Sequence, residues 1–315
     1  MACSFGRRPQ DRRQLQLHGQ ALIDPQGLWI LGRAVIDTTL MLLWGCWGLF
    51  SAATPPPLSA VLVRRFSGVS AICTMMVATG VLAVLPAQIA IVTDDWRATM
   101  DPQTLWSFLT LTTGGRAWDM LAAGALLLGL ARWLMPRRHT LAAVLAGGSL
   151  TSLSLTGHAA MRTGFERTLH TGIDIVHVLS AGAWFGGLVG FVFVMRAARD
   201  VAHRPQALVA LSRFSRLGHV AVALAILSGV ANSLLILGYL PTDWRSPYQA
   251  RLLIKIGLVA IMALAAIVNR YIFVPLLRRK RREAETALLA GAAFELLLGA
   301  VVIALVAAFG TMDPF

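Results

Sequence analysis

Apolar positions along this chain fall into long, nearly uninterrupted runs separated by short polar connections. They show neither the alternation of half-buried strands nor the narrow stripe of a water-soluble helix. Eight runs approach the ~20 residues with which a helix crosses a hydrocarbon layer: 34–53, 68–88, 117–135, 140–156, 172–195, 217–238, 252–274 and 287–309. They predict an all-α, polytopic membrane bundle of eight transmembrane helices. The run 105–111 is too short to span and reads as a re-entrant or interfacial turn. Residues 1–33 read as a basic polar N-terminal tail, without the apolar core of a signal peptide.

Composition strengthens this reading. Hydrophobic residues make up 57% of the chain and charged residues 14%, with a mean hydropathy of +0.67; soluble domains carry roughly 25% charge. A disordered chain, a coiled coil and a secreted disulfide scaffold are excluded. The net charge of +13 would suit nucleic acid, but the arginines collect at the ends of apolar runs without interleaved aromatics, as topology determinants do. Sixteen Lys and Arg fall in the odd-numbered connections between runs, against seven on the opposite side near the spans. By the positive-inside tendency both termini then face outward, to the periplasm. Cys3, Cys46 and Cys73 form neither a zinc spacing nor a pairing framework.

The two halves share residues in the same order. Ile36, Asp37, Gly45 and Trp47 recur at one constant offset as Ile173, Asp174, Gly182 and Trp184, and Arg65-Phe66-Ser67 recurs as Arg213-Phe214-Ser215. Four helices per unit is an even number, so two such units share one orientation, related by an axis along the membrane normal. The expected organisation is the tail (1–33), a first four-helix repeat (34–156) and a second (157–315). The position matching Leu40 is His177.

That difference marks the candidate chemistry. His158 ends the fourth run, His170 lies in the following connection, and His177 sits about one turn into the fifth run. Interfacial histidines are ordinary; three within twenty residues, one of them in a span three residues after Asp174, are not. Imidazole suits copper, zinc, iron or nickel, and Met161 in the same connection tilts the set toward copper, Cu(I) over Cu(II). Asp174 is placed to orient His177, and Trp184 continues that face inward. Asp37, Asp119 and Glu295 could draw a cation along a path, with Met41, Cys46, Cys73, Met75 and Met76 as soft donors deeper in the bundle. The plainer reading of these residues is ion pairing and packing.

The segment from His177 through Trp184 to Gly186-Gly187-Leu188 resembles the histidine–tryptophan–glycine–glycine signature of CopD-type copper resistance membrane proteins. Arg213-Phe214-Ser215-Arg216, Ser228-Gly229, Tyr248 to Arg251 and Lys255, Asn269-Arg270, Pro275, Glu295 and Pro314 follow in that family's order. The resemblance is strong from Leu153 to the end and looser before it. It departs at Gln249-Ala250, where the family tends to show a glycine, and in the basic tail. It implies an inner-membrane protein of copper homeostasis that passes copper across the membrane, usually inward, often with a periplasmic CopC-type copper-binding partner.

Two other classes compete. A b-type cytochrome would pair His158 with His177 and His139 with His219 around haem. However, His139 and His158 are nineteen residues apart, ~28 Å along a helix, and His139 follows two arginines at the interface. A non-transporting copper sensor, or an anchor for a periplasmic chaperone, is the other. No nucleophile–base pair or phosphate-binding loop marks an enzyme or an ATP-driven pump.

Overall fold

A computed structural model describes residues 24–155, 164–277, 279–310 and 312. Among them the chain is helical throughout: α1 (Pro25–Ala52), α2 (Pro56–Thr93), α3 (Pro102–Leu111), α4 (Thr113–Leu134), α5 (His139–Thr151), α6 (Gly164–Ala197), α7 (Arg204–Leu237), α8 (Pro247–Val268) and α9 (Arg281–Phe309). A π turn, Asn269–Phe273, and a last helical turn, Val274–Leu276, prolong α8.

Seven of these helices are long and apolar enough to cross a membrane. The eighth expected span is α5, which with a 3-10 turn over Ser152–Leu155 forms a shorter apolar helix. The run at 105–111 belongs to α3, a separate short helix exposing Trp106 and Leu111. The 38 residues of α2 reach about 57 Å, nearly twice the hydrocarbon thickness, so part of it extends beyond.

Local signals set the helix starts. Asp24, Asp101 and Ser246 each accept backbone N–H bonds at an N-cap and are followed by Pro25, Pro102 and Pro247; proline there costs no hydrogen bond and presets the helical φ. Asp101 also accepts the Thr104 hydroxyl, and this bond above all holds its carboxyl below the usual carboxylate range. The spanning helices start earlier than the apolar runs suggest, and at two of them this moves a candidate residue. α1 begins at Pro25, which brings Arg33 inside it, and α6 begins at Gly164, which brings His170 inside rather than into a connection. His177 therefore lies more than three turns into α6 instead of one. Arg33 pairs with Asp37 one turn on, and Glu166 suits the positive end of α6, so polar residues at these ends extend the helices.

Helices α1 and α6 form the centre. They meet backbone to backbone where Gly45 faces Gly182, Gly186 and Gly187; a Cβ on Gly45 would lie 2.6 Å from the Gly187 nitrogen and closer still to the Gly182 carbonyl. Small residues at such spacing let helices approach within lipid, where packing rather than water drives association. The Trp44 indole of α1 donates to the Leu179 carbonyl of α6 (2.9 Å). Around α1, the first half builds a dense core of Leu40, Trp47, Phe50, Leu58, Leu62 and Phe66, tightened by edge-on rings such as Trp47–Phe66 and Phe66–Phe193. The second half has a smaller core on Trp184, Leu188, Ala225, Met262 and Ala292. Ile72, Met75, Leu82, Leu126, Leu227, Leu264 and Leu297 point outward, as side chains bathed in lipid do.

Candidate functional site

A cavity of about 510 Å³ opens between α6, α7, α8 and α9 and the first half, which contributes the face of α1, Gln88 of α2 and Thr113-Gly114 of α4. Most of its wall is apolar, with polar side chains that include Arg33 and Asp37 from α1, Gln88 from α2, His170, Asp174 and His177 from α6, Asn232 and Ser233 from α7 and Tyr248 and Lys255 from α8. Walls of this kind, apolar with well-placed polar groups, characterise ligand sites.

His177 is held by α7. Its Nδ1 lies 2.9 Å from the Ala225 carbonyl and 3.2 Å from Ser228 Oγ. The carbonyl can only accept, and the Ser228 hydroxyl gives its own hydrogen to Leu224 O; Nδ1 therefore carries the imidazole hydrogen, as its partners assign it. Nε2 keeps its lone pair on the other side of the ring. This is the arrangement that prepares a histidine to bind a metal, an outer hydrogen bond fixing tautomer and ring plane. Gly229 makes room for it, since a Cβ there would lie 3.0 Å from the His177 ring. The group that orients His177 is thus the Ala225 carbonyl, while Asp174 turns to α7 and accepts from Asn232 Nδ2 at 2.9 Å. Lys255 of α8 lines the same cavity.

Behind the cavity wall a second polar set crosses three helices. Glu295 of α9 is almost fully buried and accepts from Trp184 Nε1 of α6 at 3.3 Å and from Asn269 Nδ2 at 2.8 Å. Asn269 opens the π turn that prolongs α8; such turns are frequent at functional positions. The two donors satisfy a carboxyl that would otherwise be costly at this depth.

The remaining expected residues divide clearly. His158 and Met161 lie outside the described residues. His170 is buried on the cavity wall, two turns from His177 along α6, about 10.5 Å of rise. Asp37 is buried, paired with Arg33 at 3.2 Å and on the wall, and Met41 lines it as well. Cys46 and Cys73 are buried as free thiols in the first-half core, while Met75 and Met76 face outward. Asp119 is exposed on α4. Among the described residues, no three His, Cys, Asp or Glu side chains gather as a metal cage. His139 shares a hydrogen bond with Ser59 of α2, and His219 one with Tyr271 beyond α8, so different elements hold these two rings.

Asn232 was not singled out by the sequence, although a carboxamide inside an apolar run is a signal in itself. Arg33 was hidden by its assignment to the tail. The contribution of α7 through a backbone carbonyl leaves no trace in residue types.

Comparison with known proteins supplies family and context. Residues 22–169 match the family model described as copper resistance protein D-like, N-terminal domain, and residues 208–309 match copper resistance protein D. The chain is 32% identical over 292 residues to the inner membrane protein YebZ of Escherichia coli strain K12, covering 91% of this chain and 98% of that protein. It is also 32% identical over 311 residues to copper resistance protein D of Pseudomonas syringae pv. tomato, covering 91% and 97%. A third relative, copper transport protein CutJ of Bacillus subtilis strain 168, is 27% identical over 195 residues, covering 59% of this chain and 35% of that protein. No solved structure matches.

Proposed function

Because this chain belongs to the copper resistance protein D family, we propose that the cavity lined by His177 is where copper enters the membrane on its way inward from the periplasm. One observation carries the reading: His177, inside a spanning helix, has Nδ1 committed to the Ala225 carbonyl and so offers Nε2 to a cavity it lines. Imidazole is a good copper ligand. His170 and Asp174 on the same wall, and Met41 across it, add donors and negative charge. His158 and Met161, which precede α6 in the sequence, are further candidate ligands by residue type.

The protein works as a conduit in the bacterial inner membrane, not as an enzyme, and a periplasmic CopC-type protein is the expected donor. The two units, 34–156 and 157–315, are the products of a parallel duplication. In support, the matching residues Gly45 and Gly182 are neighbours at the α1–α6 contact, where residues related by a central two-fold axis must meet.

Copper flux into proteoliposomes tests the proposal. The wild-type protein should carry copper, and His177→Ala should lower the initial rate at least about tenfold, the scale of losing one metal-site group. Flux unchanged by the substitution would overturn the site. A stable wild-type protein that binds copper yet moves none would favour the sensor or anchor instead.

A further inference from the structure

We infer that the end of α6 and the starts of α7 and α9 form a headgroup site, in which Arg204 and Arg281 grip the phosphate of an anionic phospholipid. The inference is independent of the copper reading above.

Two guanidiniums meet there on one oxygen. The carbonyl of Ala198, just past the end of α6, accepts from Arg204 Nε at 3.3 Å and from Arg281 Nη2 at 3.2 Å. The partial charge of one carbonyl cannot balance two full charges held this close. Acidic side chains on these segments are engaged elsewhere: Glu285 pairs with Arg199, Glu283 pairs with Lys280, and Asp200 accepts from the Ala202 N–H at 3.0 Å. Among the described residues, neither Arg204 nor Arg281 has a carboxylate at ion-pairing distance. Each guanidinium carries five N–H donors in a fixed fork, and the contact to Ala198 leaves most of each fork open. Two such forks, with positive charge in excess, fit a phosphate whose oxygens accept from both.

Capping of α6 does not account for the pair. Arginine does cap helix C-termini, but one guanidinium suffices for one carbonyl, and the second adds repulsion. Both residues also stand at the first position of their own helices, α7 and α9. Neither helix has a side-chain cap, at His203 or at Lys280, so two positive helix ends add to the field.

Position selects a lipid over free phosphate. Ala198 lies three residues past Met195, where the apolar run of α6 ends, and so at the level of headgroups. Leu208 stands one turn from Arg204 on the same face of α7, toward the span. It is 56% exposed, with Val209 beside it at 43%. An acyl chain carried by the phosphate covers this apolar surface, whereas inorganic phosphate leaves it bare. Basic pockets between spanning helices hold anionic headgroups in this way. The excess of positive charge selects a headgroup of net negative charge over a zwitterionic one.

The test uses the full-length protein in a neutral detergent, with bound lipid counted by native mass spectrometry. Dioleoyl-phosphatidylglycerol should bind at least roughly tenfold more tightly than dioleoyl-phosphatidylcholine, the scale of two arginines acting on one anionic lipid. Arg204→Gln combined with Arg281→Gln, in which each carboxamide can still donate to Ala198, should remove that preference. Arg64→Gln combined with Arg65→Gln, an equal loss of charge at exposed residues of another connection, should leave it intact. Equal binding of the two lipids by the wild type would overturn the site, a result that needs no variant to fold. A preference lost equally in the Arg64 and Arg65 variant would show diffuse attraction and overturn it as well. Displacement of the lipid by an equal concentration of inorganic phosphate would assign the site to a soluble anion and overturn the lipid.

Discussion

Helices α1 and α6 carry the same motif to opposite outcomes. Arg33, Asp37, Leu40, Gly45 and Trp47 in α1 stand at the offset of His170, Asp174, His177, Gly182 and Trp184 in α6. In the first half, the carboxylate is paired within its own helix by Arg33, Leu40 is sealed in the core, and Trp47 packs on Phe66 with the Arg132 guanidinium 5.4 Å from its ring. In the second, the carboxylate reaches another helix, His177 lines open volume, and the Trp184 indole serves a buried carboxyl. A closed, apolar half supports a half that keeps polar groups in lipid depth, where each needs a partner or a ligand. The scaffold and the site thus arise from one helix pattern, differentiated by a few residues.

The most severe way to break this contrast is to copy one half into the other. His177→Leu, which installs the first-half residue, should cut copper binding by roughly 100-fold, the upper range for loss of a metal-site group, with little change in thermal melting; equilibrium dialysis reads it. The shared contact should fail next. Gly45→Val has no space beside Gly182 and Gly186 and should destabilise by about 3 kcal/mol, the upper range for overpacking, whereas Gly48→Ala, with open space around it, should leave the melting temperature near wild type.

Smaller effects sharpen the division. Glu295→Gln sets a carboxamide N–H₂ against the Asn269 donor or the Trp184 donor and should cost about 1–3 kcal/mol, the range for a buried group left unsatisfied, measured by denaturation in detergent. Met75→Leu together with Met76→Leu should change copper flux least, because these side chains face outward; a loss of flux would restore them to a path.

The sequence made the bundle legible because apolar runs of membrane length have few alternative meanings. Helix ends were harder. Arg33 looked like the end of a tail, yet its charge is met by Asp37 one turn later, so the helix runs back to the Asp24 cap. The same happened at α6, where Glu166 and His170 read as a connection and instead belong to helix. Asp174 and His177 were visible as ionisable residues in a span. What holds them was not: Asn232 lies 58 residues from Asp174 and the Ala225 carbonyl 48 from His177, pairings that only the packing of α7 on α6 creates. Conversely, Cys46 is buried and Met75 faces outward, a difference in face that depth along a helix does not reveal.

Whether the His177 imidazole binds copper through Nε2 is decided most directly by X-ray absorption at the copper edge of the loaded protein, wild type beside His177→Ala. The account expects the imidazole scattering of the wild type to fall by one ligand in the variant. Spectra that superimpose, at equal copper loading, would contradict it.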